Sequence, residues 1–275
     1  MGSNFFIAFR VLPPERRSAL SAVYRFCRRA DDAVDHAASP AEARDGLREV
    51  REELDAAFGG AAPQGASELR AAVERFDLPR TPFDELLEGV SWDIDGRRYE
   101  DSVELREYCH RVASTVGLLC VRIFGCGDGT CDRYARELGI ALQWTNILRD
   151  VGTDLARGRV YLTRQALRRH ELRKEDLRRG DRATRVRLGA LVADEAEYAR
   201  TAFDEADRSL PDRWRGAMLA GEIMAGVYRR LLCRVDRAGG GVLDGPVRVS
   251  RTARVWVAVR ALARNRWRYG FRGNR

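Results

Sequence analysis

Apolar residues recur along almost the whole chain at the three- and four-residue spacing of a helix, and runs that alternate apolar and polar residues are almost absent. This pattern predicts an all-α protein. Pro13 and Pro14 are expected to open a first long helix that ends near His36, because proline is tolerated in a first turn where its missing N–H is not needed. The other long helices are predicted over 40–58, 67–77, 82–92, 102–124, 131–152, 182–208, 212–237 and 250–266.

The connections between these helices predict one domain over 1–275. The stretch 153–181 is looser and predicts only short helical pieces, and the glycine run 239–241 indicates a tight connection before the last helix. The chain shows neither an internal repeat nor a low-complexity linker. Its last part, 266–275, is predicted to form a basic tail.

Composition narrows the class of protein further. Apolar residues make up 45% of the 275, enough to bury a full core, which excludes a disordered or fibrous chain. The 49 basic residues exceed the 41 acidic ones, giving a net charge of +8. The excess comes from the end of the chain, because 251–275 contains arginines and no acid.

Targeting patterns and zinc-site patterns are also lacking. The longest stretch without a charged side chain, 56–67, is shorter than the ~20 residues that a spanning helix needs, and the first residues do not form a leader pattern. We therefore expect a cytoplasmic protein, and no nucleic-acid partner is expected. Six cysteines without a C-x-x-C pair and three scattered histidines argue against zinc and predict reduced, mostly buried thiols.

The first stretch that carries chemistry is YRFCRRADDAVD, residues 24–35. Steps of four, three and four place Tyr24, Arg28, Asp31 and Asp35 on one helix face, with Asp32 beside them. Acids on one face repel one another unless a cation lies between them. Such acids usually form a solvated face, but the apolar residues around these indicate that the helix has a buried side.

The second stretch is QWTNILRDVGTD, residues 143–154. Steps of three, four and four place Gln143, Asn146, Asp150 and Asp154 on one face, inside an otherwise apolar context. Burying such groups without partners costs several kcal/mol, so they should face a polar cavity, a metal or one another. A purely structural polar network between helices remains the alternative.

The first set of residues on one face (Tyr24, Arg28, Asp31 and Asp35) and the second (Gln143, Asn146, Asp150 and Asp154) are called the two stripes below. Together they predict a site for a diphosphate held through Mg²⁺. Carboxylate and amide oxygens suit Mg²⁺, with Mn²⁺ as a substitute, and the adjacent Arg28 and Arg149 can take further phosphate oxygens. The substrate is then an allylic diphosphate whose departure leaves a carbocation. Aromatic rings near the site could stabilise that cation, although core packing is the other interpretation for each of Phe5, Phe6, Tyr24, Phe26 and Tyr108.

Three long stretches and one late tyrosine carry a resemblance to a known family. They are SNFFIAFRVLPPERRSALSAVYRFCRRADDAVD, WDIDGRRYEDSVELREYCHRVASTVGLLCVRIFG, QWTNILRDVGTDLARGRVYL and Tyr228 in AGVYRRLL. The chain resembles the squalene/phytoene synthase family, the head-to-head branch of the all-α isoprenoid synthases. The resemblance covers nearly the whole chain and implies a single-domain isoprenoid synthase fold with helices around a central cavity.

The family pattern also implies roles at matching positions. It implies Mg²⁺ on Asp31, Asp35, Asn146, Asp150 and Asp154. It implies a catalytic set of Tyr24, Arg28, Asp31, Asp35, Asp150 and Asp154. Substrate binding falls to Ser3, Phe5, Arg28, Tyr108, Gln143, Asn146, Arg149 and Tyr228. Asn4 and Thr163 depart from residues common in the family.

Within the family, VASTVGLLCVRIFG and the short basic end most resemble the branch that joins two farnesyl diphosphates into presqualene diphosphate and stops. No NADPH is expected, since no G-x-G-x-x-G fingerprint follows a strand. Alternative products are phytoene, from two geranylgeranyl diphosphates, and squalene or dehydrosqualene. A catalytically silent assembly partner with the same fold is the non-enzymatic alternative, disfavoured because both stripes are intact. Chain length is expected to depend on residues such as Leu118, Leu119 and Ile140.

The end of the chain allows two interpretations. Val255, Trp256, Val259, Leu262 and Ala263 share one side of the last helix, and most arginines lie off it. This apolar side either packs on the body or rests on anionic lipid, with 266–275 as the expected contact at the inner face of the membrane. Downstream enzymes that take the apolar product are the other expected partners.

Overall fold

The computed structural model describes residues 11–59 and 66–269, and within these ranges it contains helices and no strand. The all-α prediction is confirmed. The helices in chain order are α1 (Pro14–Asp35), α2 (Pro40–Gly59), α3 (Ala66–Phe76), α4 (Thr81–Ser91), α5 (Ser102–Cys109), α6 (Thr115–Ile123), α7 (Asp132–Arg149), α8 (Val151–Ala156), α9 (Arg164–Arg169), α10 (Lys174–Arg179), α11 (Arg182–Ser209), α12 (Asp212–Arg215), α13 (Leu219–Ala238) and α14 (Arg251–Tyr269). A π-helical segment, His110–Ser114, joins α5 to α6, and a 3₁₀ segment, Gly239–Asp244, follows α13.

Local signals explain where several helices begin. Pro14 occupies the first turn of α1, as the sequence predicts. Asp101 caps α5, because its carboxylate accepts hydrogen bonds from the backbone N–H groups of Val103 and Glu104 at 2.9 and 3.0 Å. Thr163 caps α9 by accepting from the N–H of Ala166 at 3.1 Å, so this departure from the family has a structural use here.

Two predicted helices are interrupted. The helix expected over 131–152 ends at Arg149, and Asp150 leaves helical geometry (φ −102°, ψ 11°) before α8 begins. The N–H of Asp154 still donates to the carbonyl oxygen of Asp150 at 2.8 Å, so the polar stripe continues across the break. A Cβ on Gly152 would lie 2.4 Å from the carbonyl oxygen of Leu243, which shows how tightly the chain packs here. The helix expected over 212–237 is likewise divided, into α12 and α13.

The polar stripe residues lie on helices that surround a central cavity. α7 packs against α11, α13, α6 and the π-helical segment, and α1 packs against α2, α3 and α6. Gly139 allows the closest of these approaches, since a Cβ there would lie 2.5 Å from Cα of Ser114 in the π-helical segment. Close packing on the outside of these helices leaves their inner faces to line the cavity.

The last helix packs by a different face from the one predicted. The buried positions of α14 are Arg254, Val257, Ala258 and Ala261, whereas Val255, Trp256, Val259, Leu262 and Ala263 are exposed. Of the two interpretations, the one in which these five pack on the body is therefore wrong. The packed face meets α13 instead, where a Cβ on Gly226 would lie 2.7 Å from Cγ1 of Val257.

Two other expectations can be compared with the described residues. None of the helices in these ranges has the length and apolar character required to cross a membrane. All six cysteines are free thiols, four of them buried, as predicted.

Candidate active site

A cavity of about 970 Å³ opens between α1, α4, α6, α7, α8 and α13. Its wall contains the charged residues of both stripes together with apolar side chains such as Leu20, Val121 and Leu138. Eleven predicted site residues lie in its wall: Tyr24, Arg28, Asp31, Asp35, Tyr108, Gln143, Asn146, Arg149, Asp150, Asp154 and Tyr228. Ser3 and Phe5 lie outside the described residues.

The α1 stripe combines one crowded acid with one paired acid. Burial raises the pKa of Asp31 to about 7, with Arg28 opposing the shift and Asp35 and Asp93 adding to it. The Arg28 guanidinium donates to Asp32, which does not line the cavity. Asp35 accepts from Arg157 at 3.1 Å and also from Arg159. Asp31 is therefore the acid of this helix that most needs a cation.

The α7–α8 stripe repeats this division. Arg149 Nε donates to Asp150 Oδ1 at 2.7 Å, and a second guanidinium nitrogen contacts the other carboxylate oxygen. Burial raises the pKa of Asp154 to about 7, and Asp150 and Asp93 add to this shift. Like Asp31 on the other wall, Asp154 is crowded by negative charge.

Asn146 has a buried oxygen without a protein partner. Its Nδ2 donates to Gln143 Oε1 at 3.2 Å, whereas its Oδ1 is buried and accepts no hydrogen bond. Tyr228 forms hydrogen bonds with Asn146 and Arg149, and burial raises the pKa of this tyrosine. Burying a carbonyl oxygen without a hydrogen-bond partner costs free energy of folding unless a ligand binds to it.

Asp93 is a third cavity acid with a raised pKa, after Asp31 and Asp154, and it was not among the predicted site residues. Its Oδ2 accepts from the Tyr108 hydroxyl at 2.9 Å, and Tyr161 forms a second hydrogen bond to it. Burial raises the pKa of Asp93 to about 6, with Arg159 opposing the shift. The rings of Tyr108 and Tyr161 are stacked, with centroids 5.2 Å apart. Asp93 thus binds two tyrosines of the cavity wall, and its charge also raises the pKa of one acid in each stripe, Asp31 and Asp154.

Arg157 and Arg159 were also missed. They follow α8 in sequence, line the cavity and reach Asp35 on α1, so they connect the second stripe to the first. The only sequence signal was their place in the stretch DLARGRVYL. Spacing on a single helix cannot reveal a contact between residues more than a hundred positions apart.

Several residues suggested for the cavity lie in the core instead. Phe26 is 1% exposed and packs edge-to-face on Phe83, with ring centroids 5.3 Å apart, and it does not line the cavity. The residues suggested for chain length, Leu118, Leu119 and Ile140, are buried away from it as well. Other side chains line it, among them Phe124 and Tyr134.

Two thiols belong to the cavity wall. Cys27 lies on α1 one turn before Asp31, and Cys120 lies on α6. Burial raises the pKa of Cys27 well above its usual value and that of Cys120 to about 12. Both thiols therefore keep their protons at neutral pH.

The donor set of the two stripes suits a hard divalent cation. Across 11–59 and 66–269, no three acidic, histidine or cysteine side chains converge as a preformed metal site. Asp35 and Asp150 are engaged by arginines instead. Nevertheless the crowded carboxylates of Asp31 and Asp154 and the orphaned Asn146 oxygen are the oxygen ligands that Mg²⁺ prefers.

The described helices enclose a cavity whose wall combines acids and arginines with apolar side chains. The family model for squalene/phytoene synthase matches residues 1–253. The chain is 38% identical to the phytoene synthase of Mycobacterium tuberculosis over 261 residues, covering 94% of this chain and 86% of that protein. It is 34% identical to the presqualene diphosphate synthase of Zymomonas mobilis over 260 residues, covering 94% and 88%.

Solved structures agree with these matches. A dehydrosqualene synthase crystallised with a ligand superposes with a TM-score of 0.83, at 28% identity over 96% of this chain and 92% of that one. The chain belongs to the squalene/phytoene synthase family. It is therefore an isoprenoid synthase of the prenyltransferase type, as the sequence resemblance implied.

Proposed function

We propose that this protein joins two farnesyl diphosphates head to head into presqualene diphosphate, releasing one diphosphate and one proton. The observation that carries the proposal is the cavity wall, where two acidic stripes and their arginines occur together with apolar side chains. In this proposal diphosphates bind at the charged residues and prenyl chains bind along the apolar ones. The stretch VASTVGLLCVRIFG supports the choice of product.

In this proposal Asp31, Asp35, Asn146, Asp150 and Asp154 hold Mg²⁺. The bound ion would neutralise charge on the diphosphate as it leaves with the electron pair of its bond to carbon. Arg28 and Arg149 then take further phosphate oxygens, which requires each to loosen its present contact with an aspartate. For Arg149 this frees Asp150, one of the acids proposed to hold the ion, whereas Arg28 leaves Asp32, which is not in that set.

The rest of the wall protects the cation formed when diphosphate leaves. Tyr24, Tyr108 and Tyr228 line the cavity with their rings, which can stabilise positive charge and exclude water. Gln143 holds the Asn146 side chain in orientation. The proposed reaction requires no hydride donor, because it stops at presqualene diphosphate.

Product analysis tests the proposal directly. The protein is incubated with Mg²⁺ and either farnesyl or geranylgeranyl diphosphate, with and without NADPH. We expect presqualene diphosphate from farnesyl diphosphate without NADPH. Squalene that forms only with NADPH would contradict the one-step reaction, and no diphosphate release from either substrate would favour a silent assembly partner.

Phytoene synthesis from geranylgeranyl diphosphate is the second candidate, favoured by the 38% identity to a phytoene synthase. The two candidate functions differ in the space they need, because in phytoene synthesis Phe124 and Tyr134 must leave room for one further isoprene unit in each longer chain. Comparing kcat/KM for the two substrates decides between them. A preference for geranylgeranyl diphosphate would establish the second candidate.

A further inference from the structure

The surface that carries a new inference is the outer face of α14, formed by Val255, Trp256, Val259 and Leu262. These side chains are 53%, 50%, 57% and 41% exposed. At 100° per residue they share one arc of the helix, with Trp267, 86% exposed, continuing it one turn beyond Ala263. A contiguous apolar face on an otherwise charged chain marks a surface for interaction.

Among residues 11–59 and 66–269, no part of the body covers this face. α14 is already attached by its opposite side, where Val257, Ala258 and Ala261 are buried against α13. A Cβ on Gly226 would lie 2.7 Å from Val257 Cγ1, so the two helices are in close contact. Turning the outer face inward would require α14 to give up this packing.

Cations surround the outer face. The guanidinium of Arg230, on α13, lies 4.6 Å from the centroid of the Trp256 ring, and that of Arg260 lies 5.3 Å from it. Helix geometry places Arg251 at the opposite edge. α14 contains six arginines and no acidic residue. The charge of this surface therefore complements an anionic partner.

The start of α14 also reaches the cavity. Arg248, Val249, Arg251 and Arg254, from the approach to α14 and its first turn, line the cavity wall. Material that leaves the cavity beside this wall would meet whatever the outer face has docked on. The position links the surface to the reaction proposed above.

We propose that the outer face of α14 docks on the surface of an anionic lipid bilayer. Trp256 suits the headgroup region, the aliphatic side chains enter the acyl boundary, and the arginines meet lipid phosphates. The reason to dock rests on the proposed function, since a product with two prenyl chains leaves the cavity more readily into lipid than into water. A second copy of this chain is a poor partner, because pairing two such faces would bring arginines together.

Vesicle co-sedimentation of the full chain tests the proposal. The probes are vesicles of phosphatidylcholine alone and with phosphatidylglycerol, at low and high salt. The apolar test variant is Val259→Ser with Leu262→Ser, and its control is Val103→Ser with Val186→Ser, two valines on α5 and α11 that are 73% and 69% exposed. The charge test variant is Arg230→Gln with Arg260→Gln, matched by Arg44→Gln with Arg48→Gln on α2, which leaves the same net charge.

We expect the parent to bind anionic vesicles and to lose binding as salt rises, because a Debye length shortens from ~10 Å at 0.1 M to ~3 Å at 1 M. Each test variant should bind at least about tenfold more weakly, from the loss of aliphatic insertion or of charge near the surface. Both controls should bind as the parent does. Melting temperatures close to that of the parent show that the variants are folded.

Three outcomes would overturn the proposal. They are no binding of the parent to anionic vesicles at low salt, equal binding of test variants and controls, and a parent dimer in sedimentation that Val259→Ser with Leu262→Ser abolishes. The last would assign the face to a second copy. Diphosphate release without vesicles is measured separately, so a chain that binds lipid but turns over no prenyl diphosphate would refute the proposed function and leave the docking surface standing.

Discussion

The two acidic stripes look alike in sequence but are held differently in the folded chain. In the α7–α8 stripe, Asp150 is paired with its immediate neighbour Arg149. In the α1 stripe, Asp35 is paired with Arg157 and Arg159, which come from the segment after α8. One stripe is self-contained and the other depends on its opposite wall. The arrangement of the site is therefore a property of the folded pair of walls, and the α1 helix alone does not determine it.

The largest effect should come from removing an acid of either stripe. We expect Asp31→Ala and Asp150→Ala each to lower diphosphate release with Mg²⁺ by a factor of about a hundred or more, because an oxygen that holds the ion against the leaving group is lost. If the stripes act as one site, the two losses should be similar. Asp45→Ala on α2 is the control, since this exposed acid does not line the cavity. Turnover within a few-fold of the parent in either variant would remove the metal assignment.

A smaller effect should come from cutting the connection between the stripes. Arg159→Gln removes a guanidinium that pairs with Asp35 and also lowers the pKa values of Asp93 and Asp154. A charge-assisted hydrogen bond contributes about 1.5–3 kcal/mol, so we expect kcat/KM to fall roughly tenfold or more.

The matched control for this variant is Arg164→Gln, an exposed arginine at the start of α9. It should leave kcat/KM unchanged. Equal losses in Arg159→Gln and Arg164→Gln would show that the connection between the stripes is not used.

The smallest effect concerns stability and separates the crowded acids from the paired ones. The pKa values of Asp31 and Asp154 are raised to about 7 and that of Asp93 to about 6, chiefly by burial. A carboxyl group with a raised pKa costs stability while it is ionised, and the cost disappears as pH falls through that pKa. Without divalent cations, the melting temperature should therefore rise as pH falls from about 8 to about 6.

Asp31→Asn should remove part of that pH dependence. At the upper end of this range we expect its melting temperature to exceed that of the parent by about 2–4 °C, which corresponds to about 1 kcal/mol in a chain of this size. Adding Mg²⁺ should narrow the difference, because the ion stabilises only the parent at this position. A melting temperature that is independent of pH in the parent would contradict the crowding of these acids.

Sequence periodicity was enough to predict the helices and the stripes, and contacts between distant segments account for what it missed. A period of 3.6 residues places Asp31 and Asp35 on one face whatever else the chain does, and the structure has them in one cavity wall. Asp93 lies two residues after α4 with no periodic partner, and only packing brings it to Tyr108 and Arg159. The same limit applies to α14, where the contact of Val257 with Gly226 of α13 decides which face is packed.

The protonated thiols of Cys27 and Cys120 bear on how many turnovers of the proposed reaction the protein could complete before it is alkylated. The thiolate is the reactive form of cysteine, and burial suppresses it at both positions. A neutral thiol is a weaker nucleophile than a thiolate, so keeping both protons slows the attack of either sulfur on an electrophile in the cavity. In the reaction proposed above, a sulfur that captured the allylic cation would lose its proton, remain as a thioether and end turnover. An uncharged, lipophilic alkylating reagent that partitions into the cavity would instead find two slow but specific points of attachment.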